Sequence, residues 1–597
     1  MRADSTDQLY AVVDMGSNGI RLSISTLEQP GTRSLPTVYQ SRLGISLYDV
    51  QYSNGQKVPI PQETITTIVA ALKRFKQTSL DFGVPQRRDN VRILATEATR
   101  NAVNSAEFIS TIESTLGDPW EVDLLKKEDE GRIGALGVVS SAGGSAGLEG
   151  LVMDLGGGST QLTWLIARPG QDLQTSPLGS ISLPYGAAAM TRLLADISAD
   201  TKTDPESVRS DLRTKMISQF QTALQDLALP PDLQHQAKHR GLTLYLSGGG
   251  FRGWGYLLMS SHRIRPYPIP IINGFCVPVK DFKDTNLVSG LALQSLADDA
   301  NEGTGVFRVS KRRAGQVPAV SFLIDALIEA IPAIQEVRFC QGGVREGWLF
   351  DQLPMEVRAE DPLVAASGRF AADLTSTAHF VELLAGALPP DCPVLDRAAP
   401  ASIKDTHLLR SFANLMFLQQ GHSKESAAVN ALHVPITGVL ASAHGTGHQE
   451  RALLALALCQ RWGGQGDLPA PHGELRGRLE LLLTQQEIWW ARYLGVIGTC
   501  IGEVYPAGRL RGGRSRIELK AKWNEGLGKK GLMQGVILRV IVLKGGEGDA
   551  DMLTKDTTSE IVAMIEATGK KKNRIGGKEY GFGVPLRVDV ERQGVAL

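Results

Sequence analysis

Two short stretches of the sequence, 140 residues apart, share one pattern: an aspartate ends an apolar run, and a glycine- and serine-rich turn follows. The stretches are residues 14–19 and 154–160. The apolar runs before them, residues 10–13 and 151–153, are typical of buried β-strands. Turns of this kind present backbone N–H groups that can hold an anion. The repetition predicts two anion-binding loops that face each other across one cleft and grip successive phosphates of one ligand.

Each loop opens on a carboxylate, Asp14 in the first and Asp154 in the second. Carboxylate oxygens, together with water and phosphate oxygens, are the ligands that Mg²⁺ prefers in proteins. We therefore expect Asp14 and Asp154 to hold Mg²⁺ beside the bound phosphates.

Charge and cysteine content limit the classes of partner. Lysine plus arginine equals aspartate plus glutamate, 63 of each, so no global positive field attracts nucleic acid or acidic lipid. The five cysteines are odd in number and widely spaced, which favours reduced thiols over disulfides or a zinc site. The N-terminus lacks an apolar signal core, and no window approaches the roughly 20 apolar residues of a membrane span. These features predict a cytoplasmic protein that binds neither nucleic acid nor membrane.

Strands and helices alternate twice along the first half of the chain. The first 140 residues predict the order β, β, β, α, β, α, and an apolar stripe at helical spacing follows Pro61. A second cycle begins at Leu151, with strands over residues 161–166 and 180–183 and a helix that opens at Pro184. This alternation predicts an internally duplicated α/β fold.

Six motifs stand in a fixed order over residues 14–347. They are Asp14-x-Gly-Ser-Asn-x-x-Arg21, Ala95-Thr-Glu-Ala-Thr-Arg100, Glu130-Gly-Arg132, Asp154-Leu-Gly-Gly-Gly-Ser-Thr160, Leu183-Pro-Tyr-Gly-Ala187 and Gly343-Val-Arg-Glu-Gly347. Their order resembles that of the exopolyphosphatase/guanosine pentaphosphate phosphatase (Ppx/GppA) family, within the superfamily of sugar kinases, actin and Hsp70 chaperones. The first loop departs from the family pattern, since Gly19 stands where a serine is usual. Within the family, the chain looks most like a longer fungal member tied to retrograde (mitochondria-to-nucleus) signalling.

The resemblance implies a fold and a division into domains. We expect an α/β fold with a duplicated actin-like ATPase (ribonuclease H-like) core of two lobes, residues 1–132 and 133–352. A helical HD-like domain over residues 355–480 and a small α+β C-terminal domain over residues 481–597 would follow. The metal pattern of HD hydrolases is absent, since no His-Asp dipeptide occurs in the chain and glycines separate His444 from His448. Residues 570–574 form a basic run that we interpret as a solvated loop, with a polyanion site or a nuclear signal as the alternative.

Hydrolysis of a phosphoanhydride needs neutralised phosphate charge, an aimed water and a base. The resemblance assigns the base to Glu130 and leaves Arg132 as a salt bridge between the lobes or a supporting residue. The third glycine loop lies beside the nucleoside in the superfamily, although a tight strand-to-helix turn explains it equally well; it contains Ser247, Gly248, Gly249 and Gly250. The phosphate donors that we predict are loop amides, hydroxyls and two arginines: Gly16, Ser17, Asn18, Gly19, Arg21, Arg100, Gly156, Gly157, Gly158, Ser159 and Thr160.

Three functions are compatible with these residues. The favoured one is an Mg²⁺-dependent hydrolase of polyphosphate or guanosine pentaphosphate that also has a regulatory role. The second is a sensor with weak or no catalysis, which binds nucleotide or polyphosphate and signals through protein partners. The third, a sugar or acetate kinase, needs an acceptor pocket that the sequence does not indicate. A homodimer is left open.

Overall fold

The computed structural model describes residues 8–53, 56–142, 147–297, 309–393, 406–464, 468–528, 531–543 and 553–593. These residues form two compact units. The core unit contains Met1–Pro266, Ile271–Pro362 and Ser442–Thr446, and the C-terminal unit contains Tyr267–Pro270, Leu363–Ala441 and Gly447–Leu597. The finer division, with boundaries near residues 132, 352 and 480, stays a prediction.

The strands of the core unit follow the predicted apolar runs. In chain order they are β1 Leu9–Gly16, β2 Gly19–Thr26, β3 Thr37–Leu43, β4 Tyr52–Ser53, β5 Gln56–Lys57, β6 Val91–Ala95, β7 Val122–Leu124, β8 Leu148–Leu155, β9 Thr160–Ala167, β10 Gln174–Thr175, β11 Ile181–Leu183, β12 Leu242–Gly248, β13 Cys276–Pro278 and β14 Ile334–Phe339.

Two sheets with the same plan confirm the predicted duplication. The first has the order β3-β2-β1-β6-β7, and the second has the order β10-β9-β8-β12-β14-β13. In each sheet the strand before the glycine loop, β1 or β8, pairs antiparallel with the strand after the loop. On its other side it pairs parallel with the next strand of the sheet, β6 or β12. The two loops therefore occupy equivalent positions in the two halves.

Helices connect and cover the sheets of the core unit. In chain order they are α1 Leu47–Val50, α2 Gln62–Asp81, α3 Glu97–Arg100, α4 Ser105–Leu116, α5 Lys127–Ala142, α6 Ala187–Ala199, α7 Pro205–Asp226, α8 Pro231–His239, α9 Gly249–Ser261, α10 Val279–Phe282, α11 Thr285–Ala297, α12 Lys311–Ala330, α13 Val344–Asp351 and α14 Met355–Arg358. The predicted apolar stripe lies on α2, where Ile65, Ile68 and Leu72 are buried against the first sheet.

Helix α5 joins the two halves of the core unit and carries the predicted base near its first turn. Leu136 and Val138 of this helix pack in one apolar cluster with Val12 of β1 and Val152 of β8. The backbones of helices α13 and α5 are in close contact where the helices cross at Gly347. A Cβ atom added to Gly347 would lie 1.9 Å from the Ile133 carbonyl oxygen, so this position requires glycine. This crossing fixes the position of α5 between the two sheets.

In the C-terminal unit, a helical part comes first along the chain and a three-stranded sheet follows it. This order agrees with the predicted helical domain followed by an α+β domain. Its helices are α15 Pro362–Gly368, α16 Leu374–Gly386, α17 Thr406–Leu415, α18 Lys424–His433, α19 His448–Arg461, α20 Ala470–Glu480, α21 Gln485–Val504 and α22 Lys555–Thr568. Its strands are β15 Ile517–Leu527, β16 Met533–Leu543 and β17 Leu586–Gln593, in the order β15-β16-β17. Trp489 of α21 is buried and donates its indole N–H to the Thr568 carbonyl oxygen at 3.2 Å, which ties α21 to α22.

Among the described residues, the structure contains no helix with the length and apolar character that a membrane crossing requires.

Candidate active site

The two glycine loops touch each other. Ser17 and Asn18 form the turn between β1 and β2, and residues 156–159 connect β8 to β9. The Gly157 N–H donates to Ser17 Oγ at 3.1 Å. A Cβ atom added to Gly157 would lie 2.5 Å from Asn18 Nδ2, so only glycine lets the loops approach this closely. The structure therefore brings the two predicted loops together across one cleft.

Helix α6 supports the second loop from behind. The N–H groups of Ala187 and Ala188 donate to the carbonyl oxygens of Gly156 and Gly157, each at 3.0 Å. These bonds occupy carbonyl oxygens that would otherwise repel a phosphate. The Gly156 N–H is also engaged within the loop, since it donates to the Ser159 carbonyl oxygen at 3.0 Å. The first turn of α6 thus fixes the shape of the loop.

Most of the predicted site residues line the cleft between the loops. These are Asp14, Gly16, Ser17, Asn18, Gly19, Arg21, Glu130, Asp154, Gly156, Ser159, Ser247, Gly248 and Gly249. Arg100, Gly157, Gly158, Thr160 and Gly250 lie outside this lining. Thr160, for example, is buried and donates its hydroxyl to the Asp154 carbonyl oxygen at 3.0 Å, so it stabilises the loop from within.

Glu130 is buried in the cleft wall near the start of α5, with 7% of its surface exposed. One carboxylate oxygen accepts two hydrogen bonds from the Arg100 guanidinium, each at 3.1 Å. The other accepts one from Gln161 Nε2 at 3.0 Å. Burial raises the pKa of Glu130 to about 6, against the opposing effect of Arg100 and Gln161. A fixed carboxyl that ionises near neutral pH is suited to accept a proton.

Asp14 and Asp154 are partly buried beside the loops and line the cleft. Burial raises the pKa of Asp14, although Arg21 and Arg345 work in the opposite direction. Burial likewise raises the pKa of Asp154, against the effect of the Ser247 hydroxyl and of Arg252. The Glu346 carboxylate and, less strongly, Asp154 also raise the pKa of Asp14. A cation beside Asp14 and Asp154 would offset the cost of removing both charges from water.

The structure groups the predicted Arg21 with two further arginines, Arg252 and Arg313, which the sequence reasoning missed; of these two, Arg252 lines the cleft. Burial, followed by repulsion from Arg21, lowers the pKa of Arg252 to about 10. Burial and Arg21 also lower the pKa of Arg313. Crowded guanidinium groups favour an anion among them. Arg252 lies two residues after Gly250 of the third glycine loop and could have been found from that position, whereas nothing in the sequence places Arg313 beside Arg21.

Arg312 connects the two halves at the edge of the first loop. One of its terminal nitrogens donates to Asn18 Oδ1 at 2.8 Å and pairs with Asp49 Oδ2 at 3.0 Å. Arg42 donates to the Asn18 carbonyl oxygen, also at 2.8 Å. Asn18 is therefore engaged by two guanidinium groups and by the second loop. The Ser159 hydroxyl is engaged too, since it donates to the Glu97 carboxylate.

The third glycine loop is a tight strand-to-helix turn and also borders the cleft. Gly248 ends β12 with φ 94°, and a Cβ atom added to it would lie 2.4 Å from the Leu155 carbonyl oxygen. Gly250 packs on the Leu155 side chain, which explains why it does not reach the cleft. Both interpretations of this loop from the sequence are compatible with its position.

The two arginines of the central motifs have different positions. Arg100 lies against Glu130 and donates a further hydrogen bond to the Leu125 carbonyl oxygen, so it approaches the base rather than the loops. Arg132 forms a bidentate ion pair with Asp351 of α13, at 3.1 and 2.7 Å, on the outside of α5. The salt-bridge interpretation of Arg132 agrees with this geometry.

Because the Arg100 guanidinium lowers the pKa of Glu130, Arg100→Gln should raise it. If Glu130 must be ionised to act, activity rises with pH through about 6 in the wild type. The same rise should then lie about one pH unit or more higher in Arg100→Gln. The measurement is the pH profile of phosphate release. The control is Arg132→Gln, which removes a guanidinium two residues from Glu130 on α5 that pairs with Asp351 instead of Glu130. It should leave the pH profile unchanged. An unchanged pH profile in Arg100→Gln would contradict the role of Arg100.

Comparison with known proteins assigns the family. A model of the RTG2 C-terminal domain matches residues 361–593, and a model of the Ppx/GppA phosphatase family matches residues 27–230. The second range contains Glu130 and the second glycine loop, whereas the first loop precedes it. Retrograde regulation protein 2 of Saccharomyces cerevisiae is 38% identical over 518 residues, which cover 84% of this chain and 82% of the yeast protein.

Solved structures of the family resemble part of the chain. The Ppx/GppA family member of Aquifex aeolicus is 22% identical with a TM-score of 0.42, over 58% of this chain and 97% of that one. An exopolyphosphatase from Cytophaga hutchinsonii is 20% identical with a TM-score of 0.41, over 58% of this chain and 99% of that one. On the identity with the yeast protein and the two family matches, the chain belongs to the Ppx/GppA phosphatase family, among the members that carry an RTG2 C-terminal domain.

Proposed function

We propose that the chain hydrolyses the terminal phosphoanhydride bond of polyphosphate or guanosine pentaphosphate in the cleft between the two glycine loops. We also propose that this activity is coupled to retrograde signalling. The observation that carries the proposal is Glu130, a buried carboxyl with a pKa of about 6 that is fixed by Arg100 and Gln161 in the wall of a cleft between two glycine loops. A structural ion pair would not need to face a cleft lined by anion-binding loops. The family match supports a hydrolase chemistry.

In this mechanism Glu130 accepts a proton from a water molecule as the water oxygen attacks the terminal phosphorus. The bond between that phosphorus and the bridging oxygen breaks, and the bridging oxygen leaves with the electron pair. Inorganic phosphate and a chain shorter by one phosphate are the products. Arg21 and Arg252 lie where they would neutralise charge on the phosphate oxygens. The amides and hydroxyls of both loops would orient the terminal phosphate for attack.

The residues at the loops fit a magnesium ion. Asp14 and Asp154 offer hard oxygen ligands, and the cost of desolvating the two carboxylates favours a cation beside them. Within the described ranges no three His, Cys, Asp or Glu side chains form a metal cage, so water and phosphate oxygens would complete the coordination. When bound, the ion would offset charge that develops on the leaving phosphate.

A sensor without turnover is the second candidate, and the contacts between the loops favour it. The Gly157 N–H already donates to Ser17 Oγ, and the Ser159 hydroxyl already donates to Glu97, so a phosphate that binds either donor must displace these contacts. Opening of the loops by a ligand would be a signal in itself. The C-terminal unit, which carries the RTG2 C-terminal domain match, would then engage protein partners in the cytoplasm.

Phosphate release by the full chain from polyphosphate, guanosine pentaphosphate and ATP, with Mg²⁺ present, separates the two candidates. The hydrolase proposal expects release from at least one of the first two substrates. If calorimetry shows saturable binding of these ligands while no phosphate is released, the hydrolase proposal is overturned and the sensor stands. If neither binding nor release occurs, both are overturned.

A further inference from the structure

A second concave site lies within the C-terminal unit. It is a cavity of about 270 Å³, and it is lined by Leu456, Cys459, Gln460, Gly464, Arg476, Glu480, Arg492, Lys572, Asn573 and Arg574. Helices α19, α20 and α21 and the turn after α22 each contribute residues to it. The cavity volume is near the lower end of the range of about 300–1,000 Å³ that is typical of small-molecule sites.

The lining of this cavity is strongly positive. Of the described residues that line it, four are cationic and one is acidic. The acidic residue, Glu480, is already paired with Arg492 at 2.7 Å, and both side chains are about three-quarters buried. The cavity therefore holds a net positive charge, carried by Arg476, Lys572 and Arg574, that its own carboxylate does not balance.

Backbone contacts fix several of these polar groups. The Arg476 guanidinium donates to the Gly464 carbonyl oxygen, just beyond the end of α19. The Asn573 amide donates to the Ala567 carbonyl oxygen at 2.7 Å, which anchors the turn Lys571–Asn573 on α22. Positioned donors lose less entropy when a ligand binds. The cavity is thus a preorganised cationic site and differs from a mobile basic tail.

The apolar side of the cavity strengthens these charges. Leu456 and Cys459 of α19 are buried, with 4% and 1% of their surface exposed. Burial also raises the pKa of the Cys459 thiol to about 11, so this residue adds no negative charge near neutral pH. Guanidinium groups beside an apolar wall interact with an anion more strongly than they would on an open surface.

From this charge, fixation and size we infer that the C-terminal unit binds a small anion carrying two or more negative charges, with phosphate or carboxylate groups held by Arg476, Lys572 and Arg574. Both groups match the planar guanidinium fork. The cavity is too small for a folded partner or a duplex, so the ligand is a metabolite-sized molecule. The basic run at residues 570–574, interpreted from the sequence as a solvated loop, is exposed at Lys570, Lys571 and Lys572 and also contributes three of the lining residues.

The site is independent of the proposed hydrolase. Its residues all belong to the C-terminal unit, whereas the phosphate cleft belongs to the core unit. A small anion bound here would give the chain a second chemical input beside the ligand of the cleft. The inference therefore stands or falls without reference to phosphate release.

The test is isothermal titration of the full chain with methylenediphosphonate and with citrate, both in the absence of Mg²⁺. The first probe carries phosphonate groups and resists hydrolysis, and the second carries only carboxylates. We expect saturable binding of at least one probe, weakened roughly a hundredfold or more in Arg476→Gln/Arg574→Gln, because two charge-assisted hydrogen bonds of about 1.5–3 kcal/mol each are lost and every 1.4 kcal/mol is about tenfold in affinity. Rising salt should weaken binding further.

The matched control is Arg478→Gln, on the same helix but paired with Glu474 and outside the cavity. It should bind both probes as the wild type does. Loss of binding in the control, or equal binding by the wild type and the double variant, would overturn the inference, as would no saturable binding of either probe. If the double variant is unstable to heat, the single variant Lys572→Gln is used in its place, because Lys572 is exposed. The expected loss of affinity for the probes is then smaller. Loss of methylenediphosphonate binding alone would assign a phosphate ligand, and loss of citrate binding alone a carboxylate ligand.

Discussion

Glu130→Gln is expected to reduce phosphate release by roughly 10²–10⁴-fold, the range that a positioned general base contributes. Glutamine has the shape of glutamate. Its amide oxygen can still accept from Arg100, and its NH₂ group can donate to Gln161 once the Gln161 amide flips to present its oxygen, so the cleft wall keeps its form. Only the ability to take a proton is lost. The binding of polyphosphate or guanosine pentaphosphate, measured by calorimetry, should therefore remain close to that of the wild type.

The control for this variant is Glu128→Gln, the same chemical change two residues earlier on α5. Glu128 is exposed and does not line the cleft. Its activity should equal that of the wild type. If Glu130→Gln releases phosphate as fast as the wild type, Glu130 is not the base, and the carboxylate of Glu97, which also lines the cleft, becomes the residue to test.

The same variant distinguishes a buried base from a buried structural charge. Burial raises the pKa of Glu130, so the folded protein binds this proton more tightly than the unfolded chain does. Ionisation above about pH 6 therefore costs stability, and Glu130→Gln removes that cost near neutral pH. A variant that loses activity while it keeps or gains thermal stability is the pattern expected of a functional group that is held under strain.

Local patterns in the sequence predicted the duplicated core well, because each loop is a local pattern that follows its own strand. Asp14 and Asp154 each lie near the end of a strand, β1 or β8. Because these two strands are equivalent, the two aspartates occupy equivalent positions. The position of Glu130 followed from the family motif, and the structure gives the reason: α5 runs between the two sheets. Here short-range sequence information and the fold agree.

Contacts between distant segments could not be predicted in this way. The Arg312 contact with Asn18 joins residues 294 positions apart, and no periodicity encodes such a pair. The role of Gly157 was also hidden, since its need for glycine comes from the Asn18 side chain of the other loop. That the exposed basic run near residue 572 also lines a cavity was hidden, because the other cationic lining residues, Arg476 and Arg492, lie on two other helices. Tertiary packing decides all three cases.

Replacement of both loop aspartates, Asp14→Asn with Asp154→Asn, is expected to abolish Mg²⁺-dependent hydrolysis, with a loss of roughly a hundredfold or more. The amides keep the size of the carboxylates but carry no charge, so they neither attract the cation nor hold it against the phosphates. Mg²⁺-dependent ligand binding should disappear with the activity. Titration of the ligand with and without Mg²⁺ measures this difference directly.

The free energy of unfolding without ligand tells whether these aspartates serve the ligand or the fold. Burial raises the pKa of both groups and they repel each other, so ionised Asp14 and Asp154 oppose folding near neutral pH. The double variant should thus be at least as stable as the wild type in denaturant unfolding. Asp123→Asn, in β7 and paired with Arg92 at 2.9 Å, should keep its Mg²⁺ dependence. Unaltered Mg²⁺-dependent binding in the double variant would place the cation elsewhere, whereas a large loss of stability would make the two carboxylates structural.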